Sequence, residues 1–375
     1  MKILFLQIKG KTYGGVWQVN KTVGEALIRD GIDVTILSIR ENHNNYDPEY
    51  DKRMHVETLN KNDLWETYSY SEILKELKIF NIKEFINKLK NRLHNNKTLK
   101  NDKRLLKEYL DKLKPDYIIA SHYQLLDMLP EEYLSKTFHE IHCSFKESFN
   151  HKATRKTLIK YNNKVSYIWL CKNTMNEAIK HGLNNNYCLY NAVRFETEAR
   201  ADVIKNKKLV TIARISHQKR IDKMIDIANT LFEDNKYHDW TLEIWGDGED
   251  LELIKKLPKS KQIKIMGRCN DPKEVLLTSS INLNTSDFEG FALSILEANE
   301  LGVPTVTYNF GESAEEEIIN NETGFIAKDK DDYINKLKLL MDNHDILNEM
   351  SIKCKDFNNN FKINNIIKEW KKLFK

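Results

Sequence analysis

Apolar residues run almost unbroken from Lys2 to Ile8, as in a strand buried on both faces, and a glycine-bearing loop follows from Gly10 to Gly15. Val19, Val23, Ala26 and Leu27 then recur at helical spacing across Val16 to Arg29. Gly31 stops that helix, and Ile32 to Ile39 forms a second apolar run. Strand, loop, helix and strand at these intervals predict a βαβ unit and a parallel sheet. Further strands are predicted at Tyr117 to Ala120, Thr137 to His142 and Val165 to Leu170.

A second α/β pattern starts near Lys207. Strands are predicted at Leu209 to Ile212, Trp240 to Trp245, Gln262 to Met266, Ile281 to Asn284 and Thr305 to Tyr308, with an amphipathic helix over Ile221 to Phe232. The polar run Arg194 to Glu198 separates the two patterns. Residues 1–196 and 197–357 are therefore expected to form two Rossmann-like domains. A short helix over 358–375 carries Ile363, Ile366, Ile367, Trp370 and Phe374 on one side and needs a partner surface. Between the patterns of the first half lies the Lys-dense segment 68–114. Leu74, Leu77, Phe85, Leu89 and Leu93, a polar break at Asn95-Asn96-Lys97, and Leu105 to Leu113 predict two amphipathic helices with a basic outer face. Such a face is either simply solvated or a surface for an anionic membrane or polyanionic acceptor, with Lys83, Lys88 and Lys90 as candidate contacts.

Composition narrows the function classes. A chain of 375 residues, 41% hydrophobic, has room for two cores. No stretch reaches the roughly eighteen apolar residues of a membrane span, and the short first run reads as a buried strand rather than a signal peptide. The five cysteines are scattered without CxxC spacing, which argues against a zinc site or disulfide framework and fits a cytoplasmic setting. A net charge of +4, from 59 basic and 55 acidic side chains, gives no reason to expect nucleic acid.

The chemistry concentrates in two places. Ser286 to Ala298 contains Glu289 and Glu297 around a turn with Gly290, where backbone N–H groups at a helix start favour a phosphate. If that helix extends back to Glu289, the two carboxylates share a face about 12 Å apart and suit two hydroxyl-rich groups of one extended ligand. Otherwise Glu289 is a cap and Glu297 a salt-bridge partner. Ala213 to Arg220 leaves a strand and enters a helix, carrying Arg214 and Lys219 where parallel strands collect ligands. An Arg fork and a Lys point charge can neutralise a diphosphate. An ordinary basic helix start is the other explanation, at some cost against the helix dipole.

In order along the chain, Gly14-Gly15, His142, Asn191-Ala192-Val193, Arg214 with Lys219, Gly246-Asp247-Gly248, Gly267, Glu289 to Glu297 and Gly302-Val303-Pro304 resemble a family 4 retaining glycosyltransferase of group 1. That resemblance implies the GT-B fold: two Rossmann-like domains with parallel sheets facing across a cleft, the last helix crossing back to the N-terminal domain. It implies transfer of a hexose or N-acetylhexosamine from a nucleotide-diphosphate sugar, UDP-sugar first, with retained configuration and no metal or cofactor. Arg214 and Lys219 would hold the diphosphate, Glu297 the ribose and Glu289 the sugar. Gly290, Phe291, Ala292 and Leu293, with Gly14, Gly15, Gly246 and Gly267, would shape the donor site. His142 would position a sugar hydroxyl, with His122 and His139 as rivals. The acceptor would be a cell-surface glycan, a polyol-phosphate (teichoic-acid-like) polymer or a lipid-linked glycan, met in the cytoplasm or at the inner membrane face.

Arg220 and Cys143 stand where the family usually has glycine, Arg194 replaces an Asp, and Asn309 to Ile318 follows the glycine-rich segment only loosely. A catalytically inactive accessory protein of the same fold is the alternative; an epimerase of this fold shares the pattern. A nicotinamide dehydrogenase would need GxGxxG after the first strand and an acidic residue at the end of the second, which are missing.

Overall fold

A computed structural model describes residues 1–10, 14–41, 48–60, 74 and 82–374. Residues 11–13 of the first glycine loop, and 68–73 and 75–81 of the Lys-dense segment with Leu77, lie outside them.

The first sheet contains β1 (Lys2–Lys9), β2 (Asp33–Arg40), β3 (His55–Asn60), β4 (Tyr117–Ala120), β5 (Thr137–Ile141), β6 (Ser166–Trp169) and β7 (Asn186–Cys188), in the spatial order β3-β2-β1-β4-β5-β6-β7. The second contains β8 (Lys208–Ile212), β9 (Thr241–Trp245), β10 (Ile263–Gly267), β11 (Ile281–Asn284), β12 (Thr305–Tyr308) and β13 (Gly324–Ala327), in the order β10-β9-β8-β11-β12-β13. β1 runs parallel to β2 and β4, and β8 parallel to β9 and β11. The predicted strands appear within a residue or two of their expected limits. β3, β7 and β13 are additions that the apolar pattern did not mark.

The helices that matter below are α1 (Gly15–Arg29), α2 (Ile82–Leu113), α3 (Phe145–Asn150), α4 (Lys172–Lys180), α5 (Ile221–Phe232), α6 (Leu293–Glu300), α7 (Ala314–Glu317) and α8 (Ile363–Leu373). The chain divides into two compact units: Met1–Glu140 with Lys156–Tyr167, and Ile141–Arg155 with Ile168–Lys375. Both are discontinuous in sequence, which a single cut after residue 196 does not describe.

The second unit buries Ile221, Met224, Ile225, Ile227, Ala228 and Leu231 from one face of α5 against the apolar strands β8, β9 and β11, as the 3.6-residue pattern requires. On α8, Ile366, Ile367 and Trp370 are buried, the side expected from the sequence.

One expectation fails in the first unit. The two helices with a break at Asn95 are one helix of 32 residues, α2. Its buried face runs through Asn95, Thr98, Asp102, Leu106 and Leu110, spaced three or four apart, while Leu93 is exposed. Asn and Lys weaken a helix by only a few tenths of a kcal/mol each and carry no breaking geometry. The polar residues taken as a break are thus the contact face. What they contact explains them: Asp102, fully buried, accepts from the Arg40 guanidinium and from Asn60 Nδ2 at 2.7 Å, tying α2 to the ends of β2 and β3.

That pair yields a test of the unit's cohesion. Asp102→Ala breaks the buried ion pair with the Arg40 guanidinium and is expected to lower unfolding free energy by about 3–5 kcal/mol in a urea titration. Replacing both partners together (Arg40→Met with Asp102→Leu) is expected to cost far less. Equal losses in the two variants would show that packing, not the broken ion pair, sets the effect.

Candidate active site

The second sheet reverses its order between β8 and β11, so the loops leaving those strands open from one crevice. The β8 loop carries Arg214 to Arg220 and the β11 loop Thr285 to Ala292. Backbone and side chain lace them together. Asp287 N donates to Gln218 O at 2.9 Å, and Thr285 Oγ1 lies 3.0 Å from both Lys219 O and Arg220 O. The Lys219 ammonium pairs with Glu289 Oε1. Ser286 Oγ donates to the same oxygen at 2.6 Å, and Gln218 Nε2 lies 3.4 Å from Oε2 while donating to Phe288 O at 2.7 Å. A buried carboxylate without partners would be costly; Glu289 has three side chains that hold it in place.

Arg220 adopts the left-handed conformation, φ 48° and ψ 47°, at the position where the resembling family places glycine. A side chain there costs about 1–2 kcal/mol. Its guanidinium is anchored by Asp222 and by Asp287 at 2.7 and 3.2 Å, which offsets the strain and links the two loops once more.

Glycines let the backbones meet. A Cβ on Gly290 would stand 2.6 Å from the carbonyl carbon and oxygen of His142, so the turn after Glu289 lies directly on the His142 backbone. The structure thereby brings together two residues 148 positions apart that sequence alone could only nominate separately. Cβ atoms on Gly246 and Gly248 would reach 1.8 Å from Ala213 O and 2.2 Å from Ile215 O, and Gly246 N donates to Gly267 O at 2.6 Å. Gly246 and Gly267 thus pack the loop ends behind the β8 loop. His139 is buried with Nδ1 2.8 Å from Ala120 O, and His122 accepts from Gln124 N as a helix cap. Cys143, at the other family glycine position, is pushed up to about 11 by burial and stays a thiol near neutrality.

Glu289 and Glu297 do not share a helical face. α6 begins at Leu293, and Ala292 before it is extended at φ −83° and ψ 101°. The preceding amides are bonded elsewhere: Glu289 N to Phe310 O at 3.3 Å and Ala292 N to Glu317 Oε2 at 2.8 Å. Glu297, on α6, pairs with the Arg194 guanidinium, the residue that replaces the family Asp. Arg214 stands apart from these contacts, 71% exposed and paired with Glu249 at 3.0 Å. Gly14 caps α1 and Gly15 opens it, in the first unit.

The segment between β12 and β13 holds residues the sequence reading left without a role. Glu312 Oε1 accepts from Lys146 N at the start of α3 at 3.2 Å. Glu316 accepts from Lys172 N and Asn173 N at the start of α4, at 3.0 and 2.6 Å, and from Tyr190 Oη at 2.6 Å. Glu317 accepts Ala292 N beside α6. One acidic loop therefore supplies the free amides of three helix starts. The only signal in the sequence was a carboxylate run without an adjacent basic residue. Among the described residues no group of three or more His, Cys, Asp or Glu is placed to hold a metal ion, and no helix is long and apolar enough to cross a membrane.

Two parallel-sheet Rossmann-like domains are the GT-B architecture. Residues 194–360 match the family model of the glycosyl transferases group 1. An uncharacterized glycosyltransferase of Haemophilus influenzae is 24% identical, covering 99% of each chain. The poly(ribitol-phosphate) alpha-N-acetylglucosaminyltransferase of Staphylococcus aureus is 24% identical over 62% of this chain, which spans half the length of that relative. The crystal structure of S. aureus TarM with Fondaparinux, alpha-GlcNAc-glycerol and UDP superposes with a TM-score of 0.77 at 16% identity, covering 100% of both chains.

Gly290→Ala tests the close approach. The added Cβ has no room against the His142 carbonyl, and strain of this kind costs about 1–3 kcal/mol. The expected outcome is a lower melting temperature with weakened nucleotide stabilisation; a variant that melts and binds like wild type would show that the turn and His142 are not in contact.

Proposed function

We propose that the protein is a retaining glycosyltransferase that moves a hexose or N-acetylhexosamine from a UDP-sugar to a polyol-phosphate polymer or a related cell-surface or lipid-linked glycan, at the cytoplasmic side of the membrane. The observation that carries this reading is the Lys219–Glu289 pair, seated on the His142 backbone through Gly290 at the switch point of the second sheet.

In that reading the donor diphosphate draws Lys219 away from Glu289, and the exposed Arg214 leaves Glu249 to join it. Two cations fixed beside the departing UDP stabilise its growing charge without protein rearrangement at the moment of bond cleavage, together with the positive end of α6. Released from Lys219, the Glu289 carboxylate accepts hydrogen bonds from sugar hydroxyls. Glu297, on α6 and paired with Arg194, takes the ribose hydroxyls. His142 orients a hydroxyl of the sugar. No side chain here is placed as a covalent nucleophile in this scheme, so the acceptor attacks from the face the leaving group vacates. UDP in the TarM complex and the poly(ribitol-phosphate) acceptor of the S. aureus relative support the donor and acceptor classes.

Purified protein is expected to hydrolyse, or be thermally stabilised by, UDP-sugars in preference to GDP- and ADP-sugars. Glu289→Ala is expected to reduce turnover on the order of a hundredfold with the fold retained, the scale seen when one transition-state contact is removed. Hydrolysis at the wild-type rate by Glu289→Ala would overturn the assignment, as would binding of NAD in place of any nucleoside diphosphate.

The acceptor surface is assigned to the basic face of α2. Lys83 and Lys90 are exposed two turns apart, and Lys88 lies between them half-buried. Exposed cations of this kind attract a polyphosphate in a salt-dependent way. Reversing Lys83, Lys88 and Lys90 to Glu is expected to raise the acceptor KM several-fold in low salt with little change in donor KM. An acceptor KM that does not respond would move the surface elsewhere.

A further inference from the structure

Glu317 is fully buried, yet among the described residues no cation is bonded to it. Its Oε2 accepts the Ala292 amide at 2.8 Å, and its Oε1 is buried without a hydrogen-bond partner. An apolar residue would fill the same volume at less cost, since an unsatisfied buried oxygen costs about 1–3 kcal/mol. What the carboxyl does there is local: Ala292 is the last residue of the turn that begins at Glu289, and α6 starts one residue later. The turn's first amide is bonded to Phe310 O and its last to Glu317, while Asn191 Nδ2 donates to the Phe291 carbonyl at 3.2 Å. Of these three restraints only Glu317 holds the amide next to the helix start.

We propose that Glu317 is the positioning residue of the donor site, holding the Glu289–Ala292 turn through the Ala292 amide so that Glu289 and the first amides of α6 face the donor's sugar and phosphate. The inference rests on the glycosyl-transfer reading above. Glu317 touches neither substrate nor reacting atoms; it acts through Ala292.

Its charge state matters to that task. Burial pushes its pKa up to about 8, opposed by the nearby Ser313 hydroxyl and the Ala292 amide; Glu289 adds to the rise and Lys219 counters it. Cys171 and the neighbouring Glu316 are the other titratable groups on this side. Below about pH 8 the carboxyl is neutral and adds no anion beside the phosphate site. Above that it ionises, repelling Glu289 and the donor. The linkage has the sign of a raised acid: the group's stabilising contribution is complete below its ordinary value of 4.5 and is lost as pH climbs through about 8.

Full-length wild type, Glu317→Gln and Glu317→Ala are compared for hydrolysis of UDP-glucose and UDP-N-acetylglucosamine from pH 6 to pH 9.5, with melting curves alongside. Misplacement of a reacting group by an ångström can cost about a hundredfold, so Glu317→Ala is expected to lower kcat/KM by about 30-fold or more. Most of that loss is expected in donor KM. Gln keeps an acceptor for Ala292 N and has no charge to gain. It is expected to recover activity to within a few-fold, to flatten the kinetic decline as pH climbs through about 8, and to flatten the melting-temperature decline between pH 6 and pH 8.

A Glu317→Ala variant with wild-type kinetics overturns the proposal. So does a Gln variant no better than Ala, which would make the ionised carboxylate itself a requirement. Should Ala fail to fold, a Gln variant that keeps the wild-type alkaline decline overturns it instead. A wild type that neither hydrolyses these donors nor is stabilised by UDP sinks the donor reading itself, a result separable from the others.

Discussion

Helix starts present amides with no partner in their own helix, and in the second unit carboxylates meet that need. Glu312, Glu316 and Glu317, on one connection between β12 and β13, reach the starts of α3, α4 and the turn before α6. Glu312 and Glu316 place negative charge at the positive ends of α3 and α4, where it is stabilising by about 0.3–1 kcal/mol on an exposed surface, while Glu317, neutral below about pH 8, supplies an acceptor oxygen. The arrangement also means that one loop ties together three helix starts and, through Ala292, the Glu289–Ala292 turn.

Buried carboxylates elsewhere in the unit follow the same logic with different partners. Glu289 is held by Lys219, Ser286 and Gln218, and Glu297 by Arg194. Glu300 accepts Thr197 N and Asn358 Nδ2, both at 2.8 Å. A carboxylate removed from water needs several kcal/mol of compensation, which these bonds supply. The partners differ in how they can be replaced. Lys219 is on a flexible stem and can transfer its charge to a phosphate; the backbone amides cannot move without moving a helix. That contrast separates a group suited to binding and releasing a ligand from one suited to holding geometry.

Backbone contact does the rest. Gly290 on His142, and Gly246 and Gly248 on Ala213 and Ile215, are places where any Cβ would collide. Arg220 shows the opposite solution: it accepts left-handed strain because Asp222 and Asp287 hold its guanidinium across the two loops. A glycine there would make the same turn without joining the loops.

Much of this was legible in the sequence. Apolar runs and 3.6-residue spacing determined β1, β2, β8, β11, β12 and α5, because their burial depends on local pattern alone. Arg214, Lys219, Glu289 and Glu297 were legible as candidates from charge placed beside glycine turns at strand ends. The strands β3 and β13 were not: His55–Asn60 is largely polar and exposed, and Gly324–Ala327 is too short to show a period. Nor was the single helix α2, since the first half of its buried face is polar and Asp102 there is held by Arg40 and Asn60 from other strands. Tertiary structure alone decided the pairing of each carboxylate, the seat of Gly290 on His142 and the burial of Glu317. Those depend on groups more than twenty residues apart in sequence reaching hydrogen-bond distance, and periodicity along a chain carries no information about which distant groups will meet.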